Sequence, residues 1–133
     1  YVIDANSGLL LNKKKFSSKI KPLIINNYFF TITKKNLLVS MELSTGKIIY
    51  SNNINDKIAK FLNSKKKSAP TQNLMMADDK LLIFLDNSFY LKANVFGEII
   101  EIEKLPSVVN SNQIIVNGFL IFINKQNKIY MVN

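Results

Sequence analysis

Tyr28–Tyr50, YFFTITKKNLLVSMELSTGKIIY, decides the fold. It reads as two short apolar strands turned at Lys35-Asn36. A tight turn at Ser44-Thr45-Gly46 follows, and then the start of another strand. The same pattern returns in Leu81–Glu103, LLIFLDNSFYLKANVFGEIIEIE, and in Phe119–Val132, FLIFINKQNKIYMV. A partial copy, YVIDANSGLLL, opens the chain at Tyr1–Leu11. The turn glycines Gly8, Gly46 and Gly97 lie 38 and 51 residues apart. The longer interval holds one insertion, Ile54–Ser68, so the underlying period is about 40 residues, the size of a four-stranded propeller blade.

Outward from this repeat, the strands read as Tyr1–Asp4, Leu9–Leu11, Lys19–Asn26, Tyr28–Thr33, Leu37–Leu43 and Lys47–Ser51. After the insertion come Gln72–Met76, Leu81–Leu85, Phe89–Ala93, Glu98–Glu103, Gln113–Val116, Phe119–Ile123 and Lys128–Val132. Blade junctions are placed near residues 8, 46 and 97, with the strand after each glycine opening a new blade. Asn26-Asn27, Asp78-Asp79 and Asn117-Gly118 are hairpin turns. LLIFL and FLIFI are apolar on both faces, as expected for a sheet stacked between neighbouring sheets. The fold class is all-β: residues 1–133 form about three four-stranded blades of a β-propeller. Closed propellers have about four to eight blades, so the chain is a fragment of a larger propeller or half of a dimeric ring. Its opening in mid-repeat reads as a piece of a longer product.

The 133 residues are 47% hydrophobic and carry a net charge of +9. Every cation is lysine. Asn matches Lys in number, and both have A/T-rich codons, which weakens any functional argument from charge. Phosphate recognition favours the bidentate arginine fork, absent here, so nucleic acid is not the expected partner. With no His and no Cys, nucleophile–His pairs, ordinary zinc sites and disulfides are excluded within this chain. Glu101 and Glu103 could share a hard metal ion, but a lone pair on an exposed strand face is the plainer reading. Asp78-Asp79 is a turn before it is a calcium site. Asp4, Glu42 and Asn94 occupy equivalent repeat positions, which favours a structural role in the turn. No catalytic, cofactor or metal residue is assigned.

The segment Val39–Tyr50, with its copies at Val2–Gly8 and Tyr90–Ile100, resembles the quinoprotein-type, or PQQ-like, β-propeller repeat. That motif runs from an alternating strand ending near an acidic residue into Thr-Gly-Lys, two aliphatics and a Trp. Tyr50 stands at the Trp position here, and Lys13 or a neighbour and Glu101–Glu103 stand there in the other copies. The resemblance implies one of two kinds of protein. The first, favoured because cofactor-specific residues are missing, is a non-enzymatic protein-binding scaffold of the cell envelope, like the propeller lipoprotein of outer-membrane β-barrel assembly. The second is a fragment of a periplasmic quinoprotein dehydrogenase holding pyrroloquinoline quinone with calcium. Either places the chain in the periplasm or at the outer membrane.

The insertion is the one element outside the repeat. Asn55 or Asp56 is expected to cap a short helix with Ile58, Phe61 and Leu62 on one face. Lys57, Lys60, Lys65, Lys66 and Lys67 lie outside that face. These eight residues are the candidate contact surface for a protein partner, or for the edge of an anionic membrane. The plainer alternative has Ile58, Phe61 and Leu62 closing over the propeller edge.

Overall fold

The computed structural model describes residues 1–15, 17–18, 20–65 and 68–133. Lys66 and Lys67 of the candidate surface, and Lys19 at the head of an expected strand, lie outside the described residues. The chain forms two compact units, Tyr1–Lys66 and Lys67–Asn133. Each is built from antiparallel sheets, as the all-β reading requires.

In the first unit, β1 (Val2–Ile3) pairs with β2 (Leu10–Asn12). A four-stranded sheet follows in chain order: β3 (Leu23–Ile25), β4 (Tyr28–Ile32), β5 (Leu37–Glu42) and β6 (Ile48–Asn53). Helix α1 (Ile54–Phe61) closes the unit. The second unit has a four-stranded sheet of β7 (Thr71–Ala77), β8 (Lys80–Leu85), β9 (Phe89–Ala93) and β10 (Ile99–Lys104). It also has a three-stranded sheet of β11 (Ile114–Val116), β12 (Phe119–Ile123) and β13 (Ile129–Val132). Two complete blades and two partial ones therefore stand where about three were expected.

One correction concerns the glycines. The Gly46 and Gly97 turns join β5 to β6 and β9 to β10, which are neighbours in one sheet. They mark the hairpin between third and fourth strands, and the change of sheet comes one strand later. A tight turn with a paired strand on each side must stay within a sheet, whereas a change of sheet needs a longer connection. α1 supplies that connection after β6.

Local chemistry explains the turns. Asp78 and Asp79 have φ of 47° and 58°, and Asn117 and Gly118 have 51° and 80°, as a two-residue hairpin turn requires. Gly8, Gly46 and Gly97 also have positive φ. Each gives its N–H to the carbonyl of the residue at, or directly after, the end of the preceding strand: Asp4 at 2.9 Å, Glu42 at 2.8 Å and Asn94 at 2.9 Å. The side chains of those residues hold the turn too. Asp4 Oδ1 accepts from Ser7 N at 2.7 Å, Glu42 Oε2 from Thr45 Oγ1 at 2.6 Å, and Asn94 Oδ1 from Phe96 N at 3.0 Å. Their structural role is thus direct. The Ser7 hydrogen bonds hold the Asp4 carboxyl below its ordinary range.

The core of the second unit lies between its two sheets. Leu82, Phe84 and Tyr90 meet Leu120 and Phe122, with Leu105 and Val109 from the connection. Phe84 stacks on Tyr90 with ring centroids 5.5 Å apart, and Phe122 on Tyr130 at 5.3 Å. All five residues of LLIFL are buried, as expected. FLIFI departs from that expectation: Leu120 and Phe122 are buried, but Phe119 and Ile123 are exposed. Strand alternation puts the exposed residues on the face turned away from the core.

Gly46 illustrates how tightly the first unit packs. A Cβ added there would fall 1.9 Å from the amide nitrogen of Asn12. Gly46→Ala is expected to cost about 2–3 kcal/mol, part from the left-handed backbone and part from displacing Asn12. Denaturant unfolding of Gly46→Ala, Asn12→Ala and the double variant measures this. The glycine substitution should cost less in the Asn12→Ala background, leaving the backbone component alone.

Candidate functional site

The insertion folds as a helix, with a different cap from the one expected. Asn53, not Asn55 or Asp56, is the N-cap; its Oδ1 accepts from Asn55 N at 3.0 Å and Asp56 N at 3.3 Å. Asn53 also ends β6, so the strand hands over to the helix without a spacer. Asp56 in the first turn and Lys60 in the last both complement the helix dipole. Ile54 is buried, its N–H donates to Asn36 O at 3.0 Å, and Asn36 Nδ2 donates to Asn55 Oδ1 at 3.0 Å. The helix is therefore tied to the β4–β5 turn at its N-terminal end.

Its C-terminal end is open. Phe61 is 46% exposed and Leu62, the C-cap, 54%. Ile58 is half-buried. Of the three apolar residues expected to close over an edge, two remain in solvent. Lys57 is half-buried, and Lys60 and Lys65 are exposed. The described part of the candidate surface is thus an apolar tip with lysines on the same short segment.

The acidic pair has a different partner from a metal ion. Glu101 and Glu103 both reach Lys92 Nζ across the β9–β10 pair: Glu101 Oε2 at 3.1 Å, and Glu103 Oε1 through a short ion pair. The Tyr90 hydroxyl donates to the other oxygen of Glu103. Sequence reading missed Lys92 because the glutamates and the lysine meet only once the strand register is fixed. Burial pushes Glu103 up, but hydrogen bonds from Lys92 and Tyr90 outweigh it and hold the carboxyl below its ordinary range. The Glu103 hydrogen bond raises Lys92. Burial, with the bond to Glu103 second, pushes Tyr90 up to about 12. Among the described residues no group of three or more His, Cys, Asp or Glu converges.

Tyr90, Lys92 and Glu103 line a cleft of about 390 Å³, together with Asp78 and Lys80 from the β7–β8 hairpin and Ile115 and Leu120 from the three-stranded sheet. A second cleft of about 390 Å³ is lined by amides and hydroxyls, among them Asn73, Ser111 and Gln113. Its buried amide, Gln113, accepts from Asn73 at 2.6 Å and donates to Ser111 O at 3.2 Å. These groups satisfy one another, as buried amides must. Tyr50, at the family's Trp position, is half-buried, and burial raises its hydroxyl.

The Glu103 arrangement predicts a pH dependence. Its folded value is depressed, so its contribution is present above its ordinary value of 4.5 and is lost as pH falls through the depressed value. Thermal unfolding of wild type and Glu103→Gln should differ most near neutral pH. The gap should close as pH drops below about 4. A gap constant between pH 7 and pH 3 would contradict the assignment.

No protein-family model matches the sequence, and no curated protein matches it. Solved structures do. BamB from Moraxella catarrhalis aligns with 97% of this chain and 35% of its own, at 14% identity and a TM-score of 0.75. The quinohemoprotein alcohol dehydrogenase from Comamonas testosteroni aligns with 80% of this chain and 17% of its own, at 10% identity and a TM-score of 0.55. The computationally designed Ika8 protein aligns with 83% of this chain and 31% of its own, at 9% identity and a TM-score of 0.54. The chain thus spans about a third or less of each of these. At such identities the likeness is one of fold, and that fold is the PQQ-like β-propeller, present here as a partial propeller.

Proposed function

We infer that the chain belongs to a non-enzymatic protein-binding scaffold of the cell envelope, docking its partner through α1 and the lysines beside it. The observation that carries this reading is the exposed Phe61-Leu62 tip. It is an exposed apolar pair that belongs neither to the repeating sheets nor to the turns that join them. Aromatic residues ringed by polar ones are the usual anchors of protein interfaces. The fold likeness to BamB over nearly the whole chain supports a scaffold of envelope type. The lysines beside the tip, Lys57, Lys60 and Lys65, favour an acidic partner surface.

The chemistry of the sheets agrees with binding rather than catalysis. Both members of the acidic pair are engaged by Lys92. The rival reading, a fragment of a quinoprotein dehydrogenase, has one observation in its favour, the fold likeness to the Comamonas enzyme. Added pyrroloquinoline quinone and calcium should leave the protein without a bound chromophore. A chromophore that stays with the protein on a sizing column would establish the rival instead.

The docking surface is tested with a photo-crosslinking residue at position 61, and at the exposed β3 position 24 as control, in envelope extracts. A discrete partner band is expected at 61 and not at 24. Reversing Lys57, Lys60 and Lys65 to Glu should weaken the crosslink about tenfold or more, while Leu62→Ser should do so without altering net charge. Equal labelling at both positions would remove α1 as the contact.

A further inference from the structure

Two strand irregularities border the amide-lined cleft of the second unit. On one side β7 and β8 lose register between Thr71 and Asn73, which leaves Gln72 as the extra residue of a bulge. On the other, the chain ahead of β11 leaves the ladder between the Val109–Asn124 bridge and Ile114. Residues 110–113, Asn-Ser-Asn-Gln, fill that gap. Asn110 N donates to Ile123 O at 2.8 Å, and Ser111 Oγ accepts from Ile123 N at 2.9 Å, so both main-chain groups of one β12 residue hold the segment. Every wall of the cleft comes from the interior of the sequence.

The first unit has a like irregularity with different chemistry. There the Ser18–Thr33 bridge precedes β3 as Val109–Asn124 precedes β11. The intervening residues 19–22 read Lys-Ile-Lys-Pro. The gap therefore belongs to the repeat, and the amides do not. Asparagine is common throughout the chain, so the number of amides decides nothing; their bonding does. Gln72, Asn110, Asn112 and Lys125 line the cleft with side chains that have no hydrogen-bond partner among the described residues. The main-chain N–H groups of Ser111, Asn112 and Gln113 find no acceptor among them either. Gln113, 5% exposed, keeps one Nε2 hydrogen unused after its bond to Ser111 O. No Asp or Glu lines the cleft among the described residues. Unused donors thus outnumber unused acceptors, beside a single cation.

We propose that this cleft binds a carboxylate group, carried by the end of a peptide chain or by a small free acid. An ionised carboxylate is acceptor-only, and its two oxygens take several N–H donors. Successive main-chain N–H groups without acceptors are a common seat for anions, and recognised peptide sites capture terminal carboxylates in this way. Lys125 adds attraction as a point charge, without the bidentate fork that phosphate favours. Because Ile123 already fastens the segment, little ordering is lost on binding. The site goes beyond the α1 reading, lies in the other unit, and stands or falls independently of it.

The probes are N-acetyl-glycylglycine, its C-terminal amide, and acetate, each titrated into the full chain and followed by amide NMR shifts. Saturable shifts at Ser111, Asn112 and Gln113 are expected with the free-acid peptide. The C-terminal amide should bind about tenfold more weakly, since it loses the charge and one acceptor oxygen. Lys125→Gln, in an exposed turn where the fold is undisturbed, should weaken the acid about threefold and leave the amide unaffected. Tighter binding of the peptide than of acetate assigns the site to a chain end, and equal binding to a free acid; both support a carboxylate site. Equal affinity for the acid and the amide would overturn it. So would shifts of the same size around Lys34-Lys35, which would show a general response to lysine charge, or no saturable shift in residues 111–113.

Discussion

Everything in this chain depends on how one hairpin is closed. The residue that ends the third strand gives its carbonyl to the N–H of a left-handed glycine, and its side chain accepts from the turn between them. The strand pairing slips at the same place each time, between Val2 and Ile3, between Ser40 and Met41, and between Ile99 and Glu101. A bulge there bends and twists the fourth strand. Three hairpins with weakly related sequences thus share one backbone solution, because the geometry needs only an acceptor, a glycine and aliphatics. That explains how a chain 14% identical to BamB keeps the fold at a TM-score of 0.75.

The same economy sets what the sequence reveals. Strand positions were legible to within a residue or two, since apolar runs and turn residues are local signals; the exception is the expected Lys19–Asn26 strand, of which only Leu23–Ile25 pairs, with Pro22, which has no N–H to give a ladder, just before it. LLIFL was read correctly as buried on both faces. FLIFI, nearly identical in letters, was not, because burial depends on what lies opposite and the strand itself does not encode that. The blade boundary was misplaced by one strand for a related reason: glycine marks a turn, but pairing on either side of it decides whether the sheet continues. The N-cap was assigned to Asn55 or Asp56, whereas Asn53, a residue of like capping chemistry, holds it. Asn53 won because β6 ends on it and its backbone is extended there.

Chemistry between strands was the least legible. Lys92 and the two glutamates are 9 and 11 residues apart, spacings with no meaning until β9 and β10 pair. Once paired, the acidic face becomes a linked set of ion pairs, with Tyr90 occupying the second carboxylate oxygen of Glu103. Such a set adds little stability at a partly exposed site. What it does accomplish is to keep two carboxylates and a buried phenol compatible on one sheet.

Propeller sheets are apolar on both faces, so a blade is stable only when something lies against each face and along its edges. In this chain α1 leaves an apolar tip in solvent. The tip offers side chains with lysines beside them, so it selects a partner by surface chemistry rather than by backbone pairing.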